Sequence, residues 1–299
     1  MSEQVCDIGG GINLCYETFG TPADPPLLLI MGLGMQMIGW PEEFCEELAG
    51  RGFHVVRFDN RDSGRSTRMQ GRPPTLGQLA RRRIRPLHYT LSDMADDAAG
   101  LLRELGLAPA HVVGASMGGM IAQTLAARHP EDVRSLVSIM SNTGNRWRGQ
   151  PALGIYRYLL RQAPGDREGF VEHMSRIFGV IGSPGFPHDL DRVRELAGRS
   201  YDRGHDPAAA GRQLGAIVAS GDRTAELRRI AVPTLVIHGT KDRMVRPSGG
   251  KATARAIPGA RLMRVDGMGH DLPEAVWPQL VDAIAEHARS ADGARAAAA

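Results

Sequence analysis

The stretch 114–118, whose sequence is G-A-S-M-G, constrains this chain more than any other. Two valines precede it as in a buried strand, and apolar residues at helical spacing follow it over 120–126. A G-x-S-x-G sequence between a strand and a helix predicts a sharp turn that holds Ser116 in a strained backbone conformation. We expect small residues at 114 and 118, because a Cβ there would collide with a neighbouring strand or helix. The serine hydroxyl is then exposed at the carboxyl edge of a sheet, beside free helix amides.

The rest of the chain predicts a mostly parallel, eight-stranded sheet with helices on both faces, because apolar runs alternate with helical periods. The predicted strands are 4–8, 12–19, 27–31, 54–58, 111–115, 134–139, 234–238 and 261–265, the first two forming a hairpin. The predicted helices between them are 41–49, 92–105, 117–128, 248–256 and 273–288. We expect Ser92 to cap the helix over 92–105 and Gly106 to end it.

Residues 142–222 interrupt this alternation and predict a helical cap inserted between two strands of the sheet. Its helical segments are 151–162, 168–179, 189–203 and 207–219, separated by proline and glycine. We expect a few of its large aromatic residues to line a substrate pocket between cap and sheet, although for any single one of them a place in the core of the cap is the simpler interpretation. These aromatic residues are Tyr156, Tyr158, Phe170, Phe178 and Phe186.

The predicted domain organisation is therefore one large α/β domain with an insertion. Residues 1–141 and 223–289 form the two parts of the core, and 142–222 form the cap. The alanine-rich segment 290–299 is predicted to be a flexible tail. A length of 299 residues suits this organisation.

The net charge indicates which class of binding partner to expect, and the cysteines indicate the cellular compartment. A net charge of +3 is too small to indicate a nucleic acid partner, and the basic stretch 81–85 is interpreted as a solvated loop or face. The three cysteines show no metal or redox spacing, which indicates free thiols in a reducing compartment. No apolar run approaches about 18 residues, and the first 25 residues show no basic region followed by an apolar one as in a secretory signal, so we expect a cytoplasmic protein without a membrane span.

A serine hydroxyl needs a base to become a good nucleophile, and the base needs a carboxylate that orients it. In sheets of this kind the chain order is serine, acid, histidine, with the last two on loops after late strands. The strand over 234–238 is followed by G-T-K-D, and the strand over 261–265 by D-G-M-G-H. We therefore predict Ser116 as nucleophile, Asp242 as acid and His270 as base.

Other titratable residues are weaker candidates for these roles. None of the other histidines lies in a glycine-flanked loop after a late strand, although His238 closes its strand and is interpreted as structural. These histidines are His54, His88, His111, His129, His173, His188, His205, His238 and His287. Asp222 lacks a preceding strand, Asp266 is expected to face solvent, and Asp271 suits the N-cap of the last helix.

The negative oxygen of a tetrahedral intermediate must meet preorganised donors. One donor is predicted to be the backbone N–H of Met117, directly after the nucleophile. The second is expected from the glycine-rich loop 32–34 after the strand over 27–31, where we choose the N–H of Leu33.

These motifs resemble those of the α/β-hydrolase superfamily over nearly the whole chain. The segments that carry the resemblance are 30–34, 58–66, 114–118, 238–242 and 267–270. The resemblance implies the α/β-hydrolase fold and a structural turn over 59–66 that supports the oxyanion loop. Many members have histidine before the oxyanion glycine, whereas this chain has Met31; a backbone donor should tolerate the change. More narrowly, 39–44 and 59–66 resemble actinomycete esterases of the aclacinomycin methylesterase type, which remove a methyl ester from a polyketide glycoside.

The resemblance implies a carboxylic-ester hydrolase that acts through an acyl-enzyme, with no metal or organic cofactor. The apolar residues of the cap favour a lipophilic small-molecule ester as the substrate. A cofactor-free haloperoxidase or perhydrolase, or a C–C hydrolase, could use the same three residues. A ligand receptor with slow turnover is a further alternative from another class. The sequence leaves open the natural ester, the residues that line the pocket and the oligomeric state, a homo-oligomer included.

Overall fold

The computed structural model describes residues 2–159, 161–187 and 189–298. Leu160, which falls within the helix predicted over 151–162, and His188 lie outside the described residues. The strands are β1 (Gln4–Asp7), β2 (Asn13–Phe19), β3 (Pro26–Ile30), β4 (His54–Phe58), β5 (Ala110–Ala115), β6 (Val133–Ile139), β7 (Thr234–Gly239) and β8 (Arg261–Val265). Each of the eight predicted strands is thus found, with ends that differ by at most one residue from those predicted.

The eight strands form one sheet in the order β1-β2-β4-β3-β5-β6-β7-β8. Only the β1–β2 and β2–β4 pairs are antiparallel, so the predicted mostly parallel sheet is confirmed. The chain passes from β3 to β4 on one side and then returns to β5 on the other side of β3. Such a switch point opens a crevice at the carboxyl ends of β3 and β5, where ligands bind in sheets of this class.

Helices surround the sheet, and several of them follow β6. The helices are α1 (Glu42–Gly50), α2 (Leu76–Arg81), α3 (Leu91–Glu104), α4 (Met117–Arg128), α5 (Tyr156–Leu159), α6 (Arg167–Ile181), α7 (Leu190–Arg203), α8 (Ala209–Ser220), α9 (Thr224–Leu227), α10 (Ser248–Ala256) and α11 (Trp277–Ala298). Helices α5 to α8 correspond to the predicted helical cap. We refer to them and their connections as the cap.

The core has two halves because successive side chains of a strand point to opposite faces. On one face Leu28 and Ile30 of β3 pack with side chains of α3 and α4. On the other face Leu27 and Leu29 pack with side chains of α1 and α11. All four side chains are fully buried, which explains why β3 reads as an uninterrupted apolar run.

Several helix boundaries differ from those predicted. Helix α3 begins at Leu91, and its N-cap is Thr90 rather than Ser92. Thr90 accepts a hydrogen bond from the Asp93 amide while the Asp93 carboxylate accepts one from the Thr90 amide at 2.7 Å. This reciprocal pair satisfies two amides that the helix itself leaves free, which a cap at Ser92 would not achieve.

The last helix also exceeds its predicted end at 288 and continues to Ala298. Ala291 is buried, and the Asp292 carboxylate lies 3.2 Å from His111 Nε2 and 3.5 Å from Arg134 Nη1. These contacts hold residues 291 and 292, at the start of the segment that its composition assigns to a frayed tail. The predicted boundary at 288 is therefore wrong.

Two further helices, α2 and α5, differ from the prediction. Helix α2 was missed, although Thr75 caps it through a reciprocal hydrogen-bond pair with Gln78. The helix predicted over 151–162 is reduced to a short 3-10 turn (Leu153–Ile155) followed by α5. No helix of the described residues has the length and apolar character needed to cross a membrane.

Candidate active site

Ser116 lies at the sharp turn between β5 and α4, with φ +56° and ψ −117°. This conformation is strained for a residue with a side chain. A Cβ at Gly114 would lie 2.1 Å from the Gly118 carbonyl oxygen, and a Cβ at Gly118 would lie 2.0 Å from the Ile30 carbonyl oxygen. The two glycines therefore allow the close approach of β5, α4 and β3 that the turn requires.

Asp242 follows β7, and its side chain is fully buried. The backbone amides of Met244 and Val245 donate to its Oδ1 at 2.9 and 2.8 Å. Its Oδ2 lies 2.7 Å from His270 Nδ1. The two amides fix the plane of the carboxylate, so that one oxygen is directed at the histidine.

His270 lies in the loop after β8 and connects the acid to the serine. Its Nε2 is 2.9 Å from Ser116 Oγ. An ionised carboxylate only accepts hydrogen bonds, so Asp242 favours the tautomer in which Nδ1 carries the proton and the Nε2 lone pair faces the serine. The structure thus brings the three residues predicted from the sequence into one continuous series of hydrogen bonds.

The cap holds the loop that carries His270, a contact that the sequence analysis missed. The His270 amide donates to the Ile181 carbonyl at 2.8 Å, and the Gly269 amide donates to Ser183 Oγ at 2.7 Å. A Cβ at Gly269 would lie 2.4 Å from the Gly182 carbonyl oxygen. Gly269 is therefore needed for close contact with the end of α6.

His238 contacts the acid but not the serine. Its Nε2 lies 2.8 Å from the Val245 carbonyl oxygen and 3.5 Å from Asp242 Oδ2. Burial lowers the pKa of His238 below its ordinary value, although Asp242 opposes this shift. A neutral ring that donates to the Val245 carbonyl supports the loop of the acid, in agreement with a structural role.

The alternative carboxylates have other partners. Asp222 accepts hydrogen bonds from Thr224 and Asn145, and exposed Asp266 accepts one from Thr240. Asp271 is not the N-cap predicted for the last helix, because Pro273 precedes the first turn there. Instead Asp271 accepts a hydrogen bond from the Ser183 hydroxyl.

The glycine-rich loop 32–34 lies directly beside the serine. A Cβ at Gly32 would lie 3.1 Å from Ser116 Cβ. Asn60, in the turn over 59–66, donates to the Met31 carbonyl at 3.0 Å. Among the described residues, neither the Leu33 amide nor the Met117 amide has a protein acceptor. Both amides and Ser116 belong to residues that line the same cavity.

This cavity has a volume of about 1250 Å³ and lies between the cap and the carboxyl edge of the sheet. Many of its side chains are apolar, and six of them are methionines: Met31, Met35, Met117, Met120, Met174 and Met244. Four of the five aromatic residues singled out in the cap line it: Tyr156, Tyr158, Phe170 and Phe178. Phe186 instead packs against the core. The unpredicted α2 and the prolines before it contribute a further wall.

One cluster of the described residues could offer three ligands to a metal ion: His129, Glu131 and Asp132. It lies at the opposite end of α4 from Ser116. Arg103 already pairs with both carboxylates, at 3.1 Å and 2.7 Å. The cluster is therefore interpreted as part of a surface ion-pair network and not as a part of the site around Ser116.

Comparison with known proteins places this chain in a family. A family model described as the alpha/beta hydrolase fold matches residues 25–274. The rhodomycin D methylesterase DauP of Streptomyces sp. (strain C5) is 33% identical over 302 residues, which cover 94% of this chain and 96% of that protein. The rhodomycin D methylesterase DnrP of Streptomyces peucetius is 32% identical with the same coverage.

More distant proteins share the fold. A protein of Mycobacterium tuberculosis (strain ATCC 25618 / H37Rv), provisionally named non-heme bromoperoxidase BpoC, is 27% identical over 89% of this chain and 95% of its own length. Among solved structures, the 2-hydroxy-6-oxo-6-phenylhexa-2,4-dienoate hydrolase BphD of Rhodococcus sp. strain RHA1 superposes with a TM-score of 0.76 at 20% identity, over 96% of this chain and 98% of that one.

Proposed function

Since the chain belongs to the α/β-hydrolase fold family, we propose that it is a serine carboxylesterase acting on a lipophilic small-molecule ester. Ser116 is the nucleophile, His270 the base and Asp242 the orienting acid. The observation that carries this proposal is the hydrogen-bonded series from Ser116 Oγ through His270 to Asp242 Oδ2. It lies at a cavity whose lining is largely apolar.

The proposed reaction has two halves, formation of an acyl-enzyme and its hydrolysis. His270 Nε2 takes the proton of Ser116 as Oγ attacks the ester carbonyl carbon. The resulting oxyanion accepts hydrogen bonds from the free amides of Leu33 and Met117, each worth about 3 kcal/mol in the transition state. The intermediate collapses to an acyl-enzyme as His270 returns the proton to the leaving alcohol. Water, deprotonated by His270, then attacks the acyl carbonyl and releases the acid and Ser116.

The proposed substrate is a methyl ester of a bulky lipophilic carboxylic acid. A cavity of about 1250 Å³ exceeds the usual range of about 300–1000 Å³ for small-molecule sites. Methionine side chains adapt to irregular apolar ligands. The two Streptomyces relatives are named for hydrolysis of a methyl ester, which supports the same leaving group here.

The proposal includes a cytoplasmic enzyme whose partner is this small-molecule ester. The three cysteines are free thiols, and two of them are buried. Free thiols persist in a reducing compartment, which supports the cytoplasmic location.

The test is hydrolysis of p-nitrophenyl esters with acyl chains from C2 to C12 and of methyl esters of aromatic acids. We expect turnover by the wild type and a kcat lower by about 10⁴–10⁶ in Ser116→Ala. Ser290→Ala, on the exposed face of α11, is the matched control and should retain wild-type kcat. The proposal fails if the wild type is inert on all these esters or if Ser116→Ala is equally active. Peroxide-dependent halide oxidation faster than ester hydrolysis would favour the perhydrolase alternative.

A further inference from the structure

Gln213 of α8 in the cap contacts the loop 32–34, which lies beside Ser116. Its side chain is fully buried. Its Oε1 accepts a hydrogen bond from the Gly34 amide at 2.8 Å. Its Nε2 donates to the Arg61 carbonyl and to Ser63 Oγ, both at 3.0 Å. One cap side chain therefore connects the turn over 59–66 to the loop beside the nucleophile.

The orientation of this side-chain amide is determined by its partners. The Arg61 carbonyl can only accept, so the NH₂ group must face it. The Gly34 amide can only donate, so the carbonyl group of Gln213 must face Gly34. A reversed amide would lose both hydrogen bonds and turn its NH₂ group toward the Gly34 N–H and its carbonyl toward the Arg61 carbonyl, which is costly. Gln213 is thus held in one position by the same turn that supports the loop.

The loop is fixed on both sides of Leu33. Before Leu33 in the chain, the Asn60 side chain donates a hydrogen bond to the Met31 carbonyl. After Leu33, the Gln213 side chain accepts a hydrogen bond from the amide of Gly34. The φ of Gly34, +69°, turns the chain sharply at this point. A Cβ at Gly34 would lie 3.2 Å from Ala210 Cβ, so α8 also limits how far the loop can move. The Leu33 amide lies between two anchored peptide groups.

We propose that Gln213 is a positioning residue that sets the Leu33 amide at the place where the oxyanion forms. This inference rests on the proposed esterase function. Because a misplacement of about 1 Å can lower a rate by about 10²-fold, the position of the donor, and with it the rate of hydrolysis, depends on the hydrogen bond that Gln213 accepts from the Gly34 amide. The cap then acts on the chemical step in addition to enclosing the substrate.

A variant of the neighbouring residue Arg212 can distinguish positioning of the loop 32–34 from simple attachment of the cap. Its guanidinium bonds to both oxygens of Asp62, at 2.9 and 2.7 Å, and to Asp206. It attaches α8 to the core without a hydrogen bond to the loop 32–34. Arg212→Met therefore weakens the seating of the cap while the Gly34–Gln213 hydrogen bond remains, and is the matched control.

The first test compares Gln213→Met with Arg212→Met on the best p-nitrophenyl ester. We expect Gln213→Met to lower kcat by about 10- to 10²-fold with KM within about twofold of the wild type. Its rate of inactivation by diethyl p-nitrophenyl phosphate, whose phosphoryl oxygen occupies the oxyanion site, should fall in parallel. Arg212→Met should lower the melting temperature and raise KM without this selective loss of kcat.

The second test is the pH profile of Gln213→Glu, which also serves if Gln213→Met does not fold. In its protonated form the introduced carboxyl group can donate to the Arg61 carbonyl and accept from the Gly34 amide, as glutamine does. In its ionised form the same group repels the Arg61 carbonyl and displaces the loop. The kcat of this variant relative to the wild type should therefore rise as the pH falls, which a role in packing alone does not produce.

Two results overturn the inference. One is a folded Gln213→Met variant with kcat within about twofold of the wild type, and the other is an equal selective kcat loss in Arg212→Met. Failure of the proposed esterase function can be told apart from failure of this inference, because it would already appear when the activities of the wild type and of Ser116→Ala are compared. If Ser116 is required for hydrolysis and Gln213→Met retains kcat, only the inference about Gln213 fails.

Discussion

Two backbone hydrogen bonds to Asp242 orient its carboxylate toward His270. The amides of Met244 and Val245 both donate to Oδ1, which leaves Oδ2 for the histidine. The contact to His238 lies on this same Oδ2, at 3.5 Å. The acid is therefore positioned by its own loop, and its orientation does not depend on the substrate.

The substitution Asp242→Asn should lower kcat by about 10⁴-fold while the fold is retained. The asparagine carbonyl must take the place of Oδ1 to accept the two amides, so its NH₂ group faces His270 Nδ1. The histidine then adopts the wrong tautomer, with a proton on Nε2. Steady-state kinetics and circular dichroism measure this. Asp266→Asn, an exposed change one strand away, should keep wild-type kcat; equal losses in both variants would contradict the argument.

Close packing around Ser116 predicts a second effect at the residue scale. Gly118→Ala should lower the free energy of unfolding by about 3 kcal/mol or more, because the new Cβ would lie 2.0 Å from the Ile30 carbonyl oxygen. Gly50→Ala at the end of α1 is the control, since a Cβ there meets nothing within 4 Å. It should be neutral or slightly stabilising in urea denaturation. A Gly118→Ala variant of wild-type stability would show that β3 and α4 can separate.

At the scale of elements, buried ion pairs attach the cap helices to the core. Arg203 at the end of α7 bonds Asp59 at 2.9 Å and Glu3 at 2.7 Å. Arg212 of α8 bonds Asp62 in the same turn over 59–66. Asp59 also accepts from the Met37 amide at 2.7 Å. This turn is therefore the point to which the cap and the segment after β3 are both attached.

Removing one partner of such a pair leaves a buried charge without compensation. Arg203→Met should therefore lower the free energy of unfolding by about 3–5 kcal/mol. Arg199→Met, on the same helix, removes an exposed pair with Glu42 and should cost less than about 1 kcal/mol. Urea denaturation of both variants measures the difference. Equal costs for the two variants would mean that Asp59 finds another partner when Arg203 is lost.

At the scale of the whole molecule, several buried histidines link stability to pH. Burial lowers the pKa of His111, His238 and His287 below the ordinary value of about 6.5. Below that value the unfolded chain binds protons that the folded chain does not. Stability is therefore full above about pH 6.5 and falls as the pH decreases through the window between 6.5 and the lowered values.

We expect the free energy of unfolding to decrease from pH 7.5 to pH 5.5, measured by urea denaturation at several pH values. His287→Gln should reduce this slope, because glutamine can still donate to the Pro233 carbonyl, as His287 Nε2 does at 3.2 Å, without titrating. Ser290→Ala, an exposed change on α11 that removes no titratable group, is the control and should leave the slope unchanged. A slope that is the same in His287→Gln as in the wild type would exclude His287 as a contributor.

The sequence by itself determined the local part of this protein. Strands are visible as apolar runs, and the strained serine turn is visible because there is no room for a side chain at Gly114 or Gly118 on either side of Ser116. Asp242 and His270 could be chosen because each follows a late strand in a glycine-containing loop. These signals lie within about ten residues of the feature that they specify, so chain order was enough to find them.

The tertiary structure alone decided how the cap and the core hold one another. Nothing near Gln213 in the sequence indicates Gly34, which is 179 residues away, and nothing near Ser183 indicates the loop of His270. The end of α11 was misjudged for the same reason, since Asp292 is held by His111 and Arg134. Contacts between residues far apart in the chain depend on how the elements pack, and hydrophobic periodicity carries no information about which polar side chains then meet.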